Sequence, residues 1–403
     1  MNDLSITETD FREPIFVEKF DDSDPENEKE EDIINLATLD LSTMAITGTD
    51  WTAETLVSQI QKGNILLNPD FQRRDAWTAK TKSRFIESLL LGLPIPQIIL
   101  AEQKGKRGSY IVIDGKQRLL SLQQFVIGDE EGQKLKLTGL EVKTEFNKKT
   151  YDELSNGVSC DEIDAFNNQT IRTVVIKNWP SVEVLYLLFL RLNTGSVKLS
   201  PQELRQALYP GDFIKFVNEE SAKSTEIQQM LNLKRPDFRM RDVEILIRYY
   251  AFKFYLTMYS GSLQAFLDFT CGKLNEDWSM QQENVLLELS EMKSAICATR
   301  NIFGADSAFK KYKNGKYEDK YNRAVIDIML YYFSQSNYRN AALEKAAEVR
   351  GAFENCCMTN PEFLASLETT TKSVSSVKCR FNTWGNILNT TLGTDFSTPI
   401  WPQ

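Results

Sequence analysis

Beyond Pro180 every long segment repeats its apolar residues at three- and four-residue spacing, and this pattern restricts the fold more than any other feature of the chain. The segments "SVEVLYLLFLRLN", "RDVEILIRYYAFKF", "NVLLELSEMKSAICATRNIF", "RAVIDIMLYYFSQS" and "AALEKAAEVRGAFENC" carry it, and none shows strand signals. Such stripes are buried helix against helix, so residues 181–403 are expected to form a mostly α-helical domain.

Residues 49–180 read differently, because helices and short strands alternate. "TAETLVSQIQKG" is a helix closed by Gly63, and "RFIESLLLGLPIPQIILAEQ" is a helix ending near Gly92 and running into an extended segment after its prolines. "YIVI" is a buried strand, "KQRLLSLQQFVIG" an amphipathic helix with Leu119, Leu122 and Phe125 or Val126 on one face, and Thr170 to Ile176 a β-branched strand. The class expected here is α/β (α+β). Residues 1–48 include "DDSDPENEKEED", which lacks apolar periodicity and is expected to be an acidic, disordered tail. No repeat of fixed period is present.

The chemistry is bounded first by a missing residue type. The 403 residues include no histidine, which removes Ser-His-Asp and Cys-His catalysis, His-metal nuclease sites and the usual zinc hydrolase sites. Carboxylate, lysine, arginine and magnesium chemistry stay open. With 47 Lys plus Arg against 56 Asp plus Glu, the net charge is -9, so any polyanion site must be a local patch. The six cysteines form no C-x-x-C pair and fit reduced thiols. There is no basic-then-apolar leader, and the apolar run from Leu89 to Ala101 is broken by Pro94 and Pro96, so a soluble, cytoplasmic protein without a membrane partner is expected.

"YIVIDGKQRLLSLQQF", Tyr110 to Phe125, is the main candidate site. A strand feeding Asp114-Gly115 and then a helix leaves the first-turn N–H groups directed at one spot, which favours an anion. Lys116 and Arg118 add charge, arginine gripping phosphate in a planar fork, while Asp114 either caps the helix or holds a magnesium ion beside a phosphate. The bland alternative is an Asp-Gly turn followed by two solvated cations. Upstream, "NPDFQRRDAW" gathers Asn68, Asp70, Gln72, Arg73, Arg74 and Trp77 in a loop suited to phosphate and base contacts, or simply anchored by its aromatics. Downstream, in "FLRLNTGSVKLSPQELRQALYPG", Asn193 to Gly195 is a turn, and Ser200, Pro201 and Glu203 start a helix with a capping box. The clustering of Arg191, Asn193 and Arg205 there has no structural explanation in the sequence, whereas Arg241, Glu244 and Arg248 read as a salt-bridge ladder on one helix face. Finally, "FKKYKNGKYEDKYNR" interleaves Lys310, Lys311 and Lys313 with Tyr312, a nucleic-acid-binding candidate against the alternative of a solvated loop.

The blocks "NPDFQRR", "FIESLLLGLPIPQIIL", "IDGKQRLLSLQQF", "FLRLNTGSVKLSPQELRQAL" and "RDVEILIRYYAF", in this order, resemble the ParB-like domain of GmrSD-type restriction proteins over about Trp51 to Phe254. The resemblance implies a ParB/sulfiredoxin-like fold and a nucleoside triphosphate site with Mg2+ in a bacterial anti-phage defence system. Asp114, Gln117 and Arg118 would then be catalytic, Asp114 would hold the metal, and Gln72, Arg73, Gly115, Lys116 and Asn193 would bind nucleotide. Two departures stand out: the family's usual glutamine is Lys116 here, and a chain without histidine cannot contain the His-dependent nuclease domain of members that cut DNA. The implied protein is an NTP-hydrolysing component working with a separate nuclease or effector, with DNA and a second copy of the chain as further candidate partners. The rivals are a non-catalytic DNA-binding or regulatory module and a scaffold with a vestigial nucleotide pocket.

Overall fold

A computed structural model describes residues 41–67, 76–129, 131–157, 159–192, 200–237, 239–368 and 371–401. The acidic tail expected over 1–48 lies outside them for its first forty positions. The chain folds as two compact units, whose described parts are 41–208 and 209–401. The first is mixed α/β and the second mostly helical, in agreement with the expected class. The chain divides between Leu208 and Tyr209, beyond the change of sequence character at Pro180, because the two helices after Pro180 pack against a strand of the first unit.

In the first unit four strands, β1 (Ala45–Thr52), β2 (Ile98–Glu102), β3 (Tyr110–Asp114) and β4 (Thr170–Lys177), form a sheet of order β1-β4-β2-β3. β2 runs parallel to β4, and β1 with β4 and β2 with β3 are antiparallel. Helices α1 (Ala53–Gln61), α2 (Ala79–Leu90), α3 (Lys116–Val126), α4 (Tyr151–Ser155) and α5 (Cys160–Asn168) follow, then α6 (Val182–Leu192) and α7 (Pro201–Leu208). Threonines set the starts of α1 and α2: Thr52 accepts from Thr55 N–H at 3.1 Å and Thr78 from Thr81 N–H at 3.2 Å, each satisfying an end amide. One core joins Leu56 and Ile60 of α1, Phe85 and Leu89 of α2, Leu119, Leu122 and Phe125 of α3 and Phe166 of α5 to Ile98 and Leu100 of β2. Ile99, Ile111 and Ile113, on the alternate positions of β2 and β3, are also buried, and α6 and α7 pack on β3. β3 is an end strand of the sheet, yet Ile111, Val112 and Ile113 are all buried, which explains the continuous apolar run of "YIVI".

Glu87 of α2 anchors the segment after α3. Its buried carboxylate accepts the N–H groups of Glu141, Val142 and Lys143 at 2.8 to 3.1 Å, so a single side chain satisfies three consecutive amides in a turn where no strand can.

The second unit contains α8 (Asp212–Lys223), α9 (Thr225–Leu231), α10 (Arg241–Tyr255), α11 (Leu263–Glu276), α12 (Trp278–Phe303), the hairpin β5 (Lys310–Lys313) and β6 (Lys316–Tyr321), then α13 (Arg323–Phe333), α14 (Ser336–Glu344), α15 (Ala346–Thr359), α16 (Pro361–Glu368) and α17 (Val374–Leu392). The hairpin departs from the expectation that strand signals are missing beyond Pro180. Asn314 and Gly315 take φ of 53° and 79°, the paired positive angles of the tight turn that matches strand twist. The stripe of "AALEKAAEVRGAFENC" is likewise split at Lys345 into α14 and α15. The ladder on α10 is joined to neighbouring helices: Arg248 Nε donates to Asp327 at 3.0 Å and Arg323 Nε to Glu244 at 3.0 Å, against 3.9 Å between Arg248 and Glu244 themselves. With Arg248, Arg323, Asp327 and Arg380 all buried, these charges are core groups tying α10, α13 and α17 together. Among the described residues no helix is long and apolar enough to cross a membrane.

Candidate functional site

The strand β3 delivers Asp114 at the edge of the core, and the chain reverses at Gly115, whose φ of 95° and ψ of 14° lie in the left-handed region. Only glycine suits the place: a Cβ there would meet Ile98 Cγ1 at 3.1 Å and Arg118 Nε at 3.3 Å, besides the backbone strain. α3 then begins at Lys116 with no side-chain cap. Its first bond after Gly115 is Leu119 N–H to the Gly115 carbonyl at 3.0 Å, so the amides of residues 116–118 precede the helical ladder.

The three polar residues after the glycine diverge. Lys116 is buried, and its ammonium is ion-paired with the buried Glu203 of α7. Gln117 is buried as well, and its Oε1 accepts Trp77 N–H at 3.3 Å. Arg118 folds back, donating from Nη2 to Asp114 Oδ2 at 2.9 Å and to the Gln97 carbonyl at 3.0 Å, while its Nε has no hydrogen-bond partner among the described residues. Asp114 keeps 35% of its side-chain surface and Arg118 13%, so the pair is partly exposed, chiefly at the carboxylate, while Lys116 and Gln117 are buried. The expected site residues therefore fall into two sets. Asp114 and Arg118 stand at the partly exposed side of the helix start, with Gly115 buried between them. Lys116 and Gln117 reach inward, each to a different segment of the unit, and the glutamine is not turned toward solvent where it could orient a water.

Gln72, Arg73 and Asn193 lie outside the described residues, as do Asn68, Asp70 and Arg74. Trp77, from the same sequence stretch as five of them, is described and lies beside the candidate turn, where Gln117 holds its N–H. Arg205 is fully buried, with Nη1 donating to Gln202 at 2.8 Å, so it contributes no exposed charge. Glu203 is the functional candidate that sequence reasoning missed. Its capping box with Ser200 was legible and is present, Ser200 N–H donating to Oε2 at 2.7 Å and Glu203 N–H to Ser200 Oγ at 3.2 Å. The use of the other carboxylate oxygen for Lys116 was not, because 87 residues separate the partners.

Around Asp114 the charge balance suits a metal only in company with a ligand. Among the described residues no three His, Cys, Asp or Glu side chains gather to hold an ion. Magnesium is ordinarily held by one or two carboxylates together with phosphate oxygens and water, so Asp114 fits an ion brought by a nucleotide.

The lysine and tyrosine run in the second unit is the β5–β6 hairpin. Lys311 Nζ lies 3.0 Å from Glu318 and 2.8 Å from Glu368, and Lys313 Nζ 2.6 Å from Glu368. Tyr312 packs edge-on against Tyr317 with ring centroids 5.0 Å apart. Lys310 stands over the Tyr321 ring at 5.9 Å. The adjoining cleft, about 570 Å³, is lined by Lys310, Lys316 and Arg350 but also by Asp306, Asp319 and Glu354. Two of the three lysines expected at phosphates are thus engaged by carboxylates, and the cleft is of mixed sign.

Residues 53–210 match the family model of the GmrSD restriction endonuclease, N-terminal domain. No curated protein and no solved structure matches the chain. The matched span begins at α1 and closes two residues after α7, so it covers the first unit apart from β1 and what precedes it.

Proposed function

We propose, from the restriction-system domain at residues 53–210, that this protein binds a nucleoside triphosphate at the Asp114–Arg118 turn and acts in defence against foreign DNA. The observation that carries the reading is a helix start without a side-chain cap, entered through a left-handed glycine, with a partly exposed carboxylate and guanidinium side by side. The amides of residues 116–118 would receive phosphate oxygens, since the end of a helix favours anions and needs no lysine to do so. Arg118 would exchange Asp114 for phosphate in the fork geometry that only arginine supplies. Asp114, released from Arg118, would turn to the ion that accompanies the nucleotide or orient an attacking water. Magnesium, when bound with the nucleotide, would supply charge neutralisation at the phosphates.

Lys116 has a different part in this reading from that of a phosphate ligand. Its burial against Glu203 supports a role in holding the turn, which accounts for a cation at a helix start where the dipole disfavours one. Cleavage of DNA is assigned to a separate effector, because no residue of this chain can play the imidazole part in a His-dependent nuclease. A screen of ATP, GTP, CTP and UTP with magnesium tests the reading. One or more should raise the thermal midpoint of the wild type and fail to raise that of Arg118→Lys, and no rise with any of the four would refute nucleotide binding.

A further inference from the structure

We infer that Glu203 is a positioning residue for the Asp114–Arg118 turn, acting through Lys116. The inference deepens the nucleotide reading and borrows its site, but the contact itself is independent of any ligand.

A helix that starts after glycine with no side-chain cap has the least constrained kind of first turn, since glycine adds backbone freedom and no side chain ties the leading amides. Fraying there would displace the amides of residues 116–118 and the guanidinium of Arg118 together. Besides the bond from Arg118 to the Gln97 carbonyl, three contacts among the described residues oppose it, one from each residue of the turn. Arg118 to Asp114 lies at the partly exposed side and must open for an anion to enter. Gln117 holds Trp77 through a neutral hydrogen bond at 3.3 Å, the longest and weakest of the three. Lys116 to Glu203 is the remaining one, and both partners are buried, with side-chain exposures of 3% and 6%. Separating two buried charges leaves each unpaired in the interior, so this contact is the one least able to open.

Glu203 can serve as a fixed post because its carboxylate is itself held. Oε2 accepts the Ser200 N–H at the start of α7, and α7 packs on β3, the strand that leads into the turn. One oxygen thus fixes Glu203 to its own helix, and the other fixes Lys116. The geometry of the anion site is in this way set by a residue that need not touch the anion.

The test uses the full-length chain, with amide hydrogen exchange over residues 110–125 in the absence of nucleotide and calorimetric titration with the preferred nucleotide and magnesium. Glu203→Gln should speed exchange of the first-turn amides of α3 at least tenfold and weaken nucleotide binding at least tenfold, while amides of β2 and α5 keep their rates. Glu153→Gln is the control, since Glu153 closes an equivalent capping box on α4; it should change neither reading. The double variant Lys116→Gln/Glu203→Gln, in which two neutral amides face each other, should recover most of the lost protection, a non-additivity that marks the pair rather than general stability. Unchanged first-turn exchange in Glu203→Gln would overturn the inference. So would a rise spread evenly over the first unit, which would make Glu203 an ordinary stabilising residue. If the wild type binds no nucleotide, the reading under Proposed function fails alone, and the exchange results still decide the part of Glu203.

Discussion

Arg118 pairs with Asp114 when no ligand is present, so an incoming phosphate competes with a carboxylate 2.9 Å from the same nitrogen. Asp114→Asn should therefore free the guanidinium: nucleotide affinity measured with chelator present should rise about threefold to tenfold, the scale of one partly exposed ion pair, and its dependence on magnesium should shrink. Arg118→Lys keeps the charge but loses the fork, and titration should show at least about a tenfold loss of affinity with little change in thermal midpoint. Lys116→Gln should behave in the opposite way. It leaves Glu203 facing a neutral group in the interior, and chemical denaturation should show a loss of about 1 to 3 kcal/mol, with nucleotide binding weakened only as far as the turn loosens. Thiol labelling tests the described side chains in both units. Burial pushes the Cys356 and Cys357 thiols up to about 12, whereas Cys160 and Cys297 are exposed. At neutral pH a maleimide should modify Cys160 and Cys297 rapidly in the native protein and leave Cys356 and Cys357 until it unfolds, because the thiolate is the nucleophile.

At the scale of elements, what was legible in the sequence was what local patterns encode. "YIVI" and "TVVI" read as strands because they are short, largely β-branched apolar runs, and the helix starts at Thr52 and Ser200 read correctly from their caps. β1, "AITGTDWT", was not legible. It is a sheet edge with most of its residues exposed, so it lacks an apolar period, and its pairing with β4 joins residues more than a hundred positions apart. In the site, the turn and its glycine were legible, but the inward courses of Lys116 and Gln117 depend on Glu203 and Trp77, which no local spacing brings near. The hairpin carried its signal in Asn314-Gly315, outweighed in the sequence by the density of charge around it. Its carboxylate anchor yields a pH prediction. Burial raises the Glu368 carboxyl, but hydrogen bonds and charge from Lys311 and Lys313 outweigh it and hold the group below the usual carboxylate range. Since the folded value is the lower one, the stabilisation is full above the unfolded carboxylate pKa and fades as pH falls through the folded value. Glu368→Gln should consequently flatten the acid limb of the stability–pH curve and lower stability near neutrality, whereas a variant as acid-sensitive as the wild type would remove the hairpin pairs from the account.

At the scale of the whole molecule, each unit has its own buried core, and the GmrSD-type match covers one of them. A ligand of the first unit should stabilise that unit by mass action, so the calorimetric transition assigned to it should move upward with nucleotide concentration, by about 2.7 kcal/mol of stability at a hundredfold excess over the dissociation constant. The central claim, that the Asp114–Arg118 turn is a phosphate site, is tested most directly by isothermal titration of the wild type and Arg118→Lys with each nucleoside triphosphate and magnesium. The account predicts saturable binding of at least one nucleotide by the wild type and a loss of at least about tenfold in the variant. Equal affinity in the two proteins, or heat from neither, would contradict it.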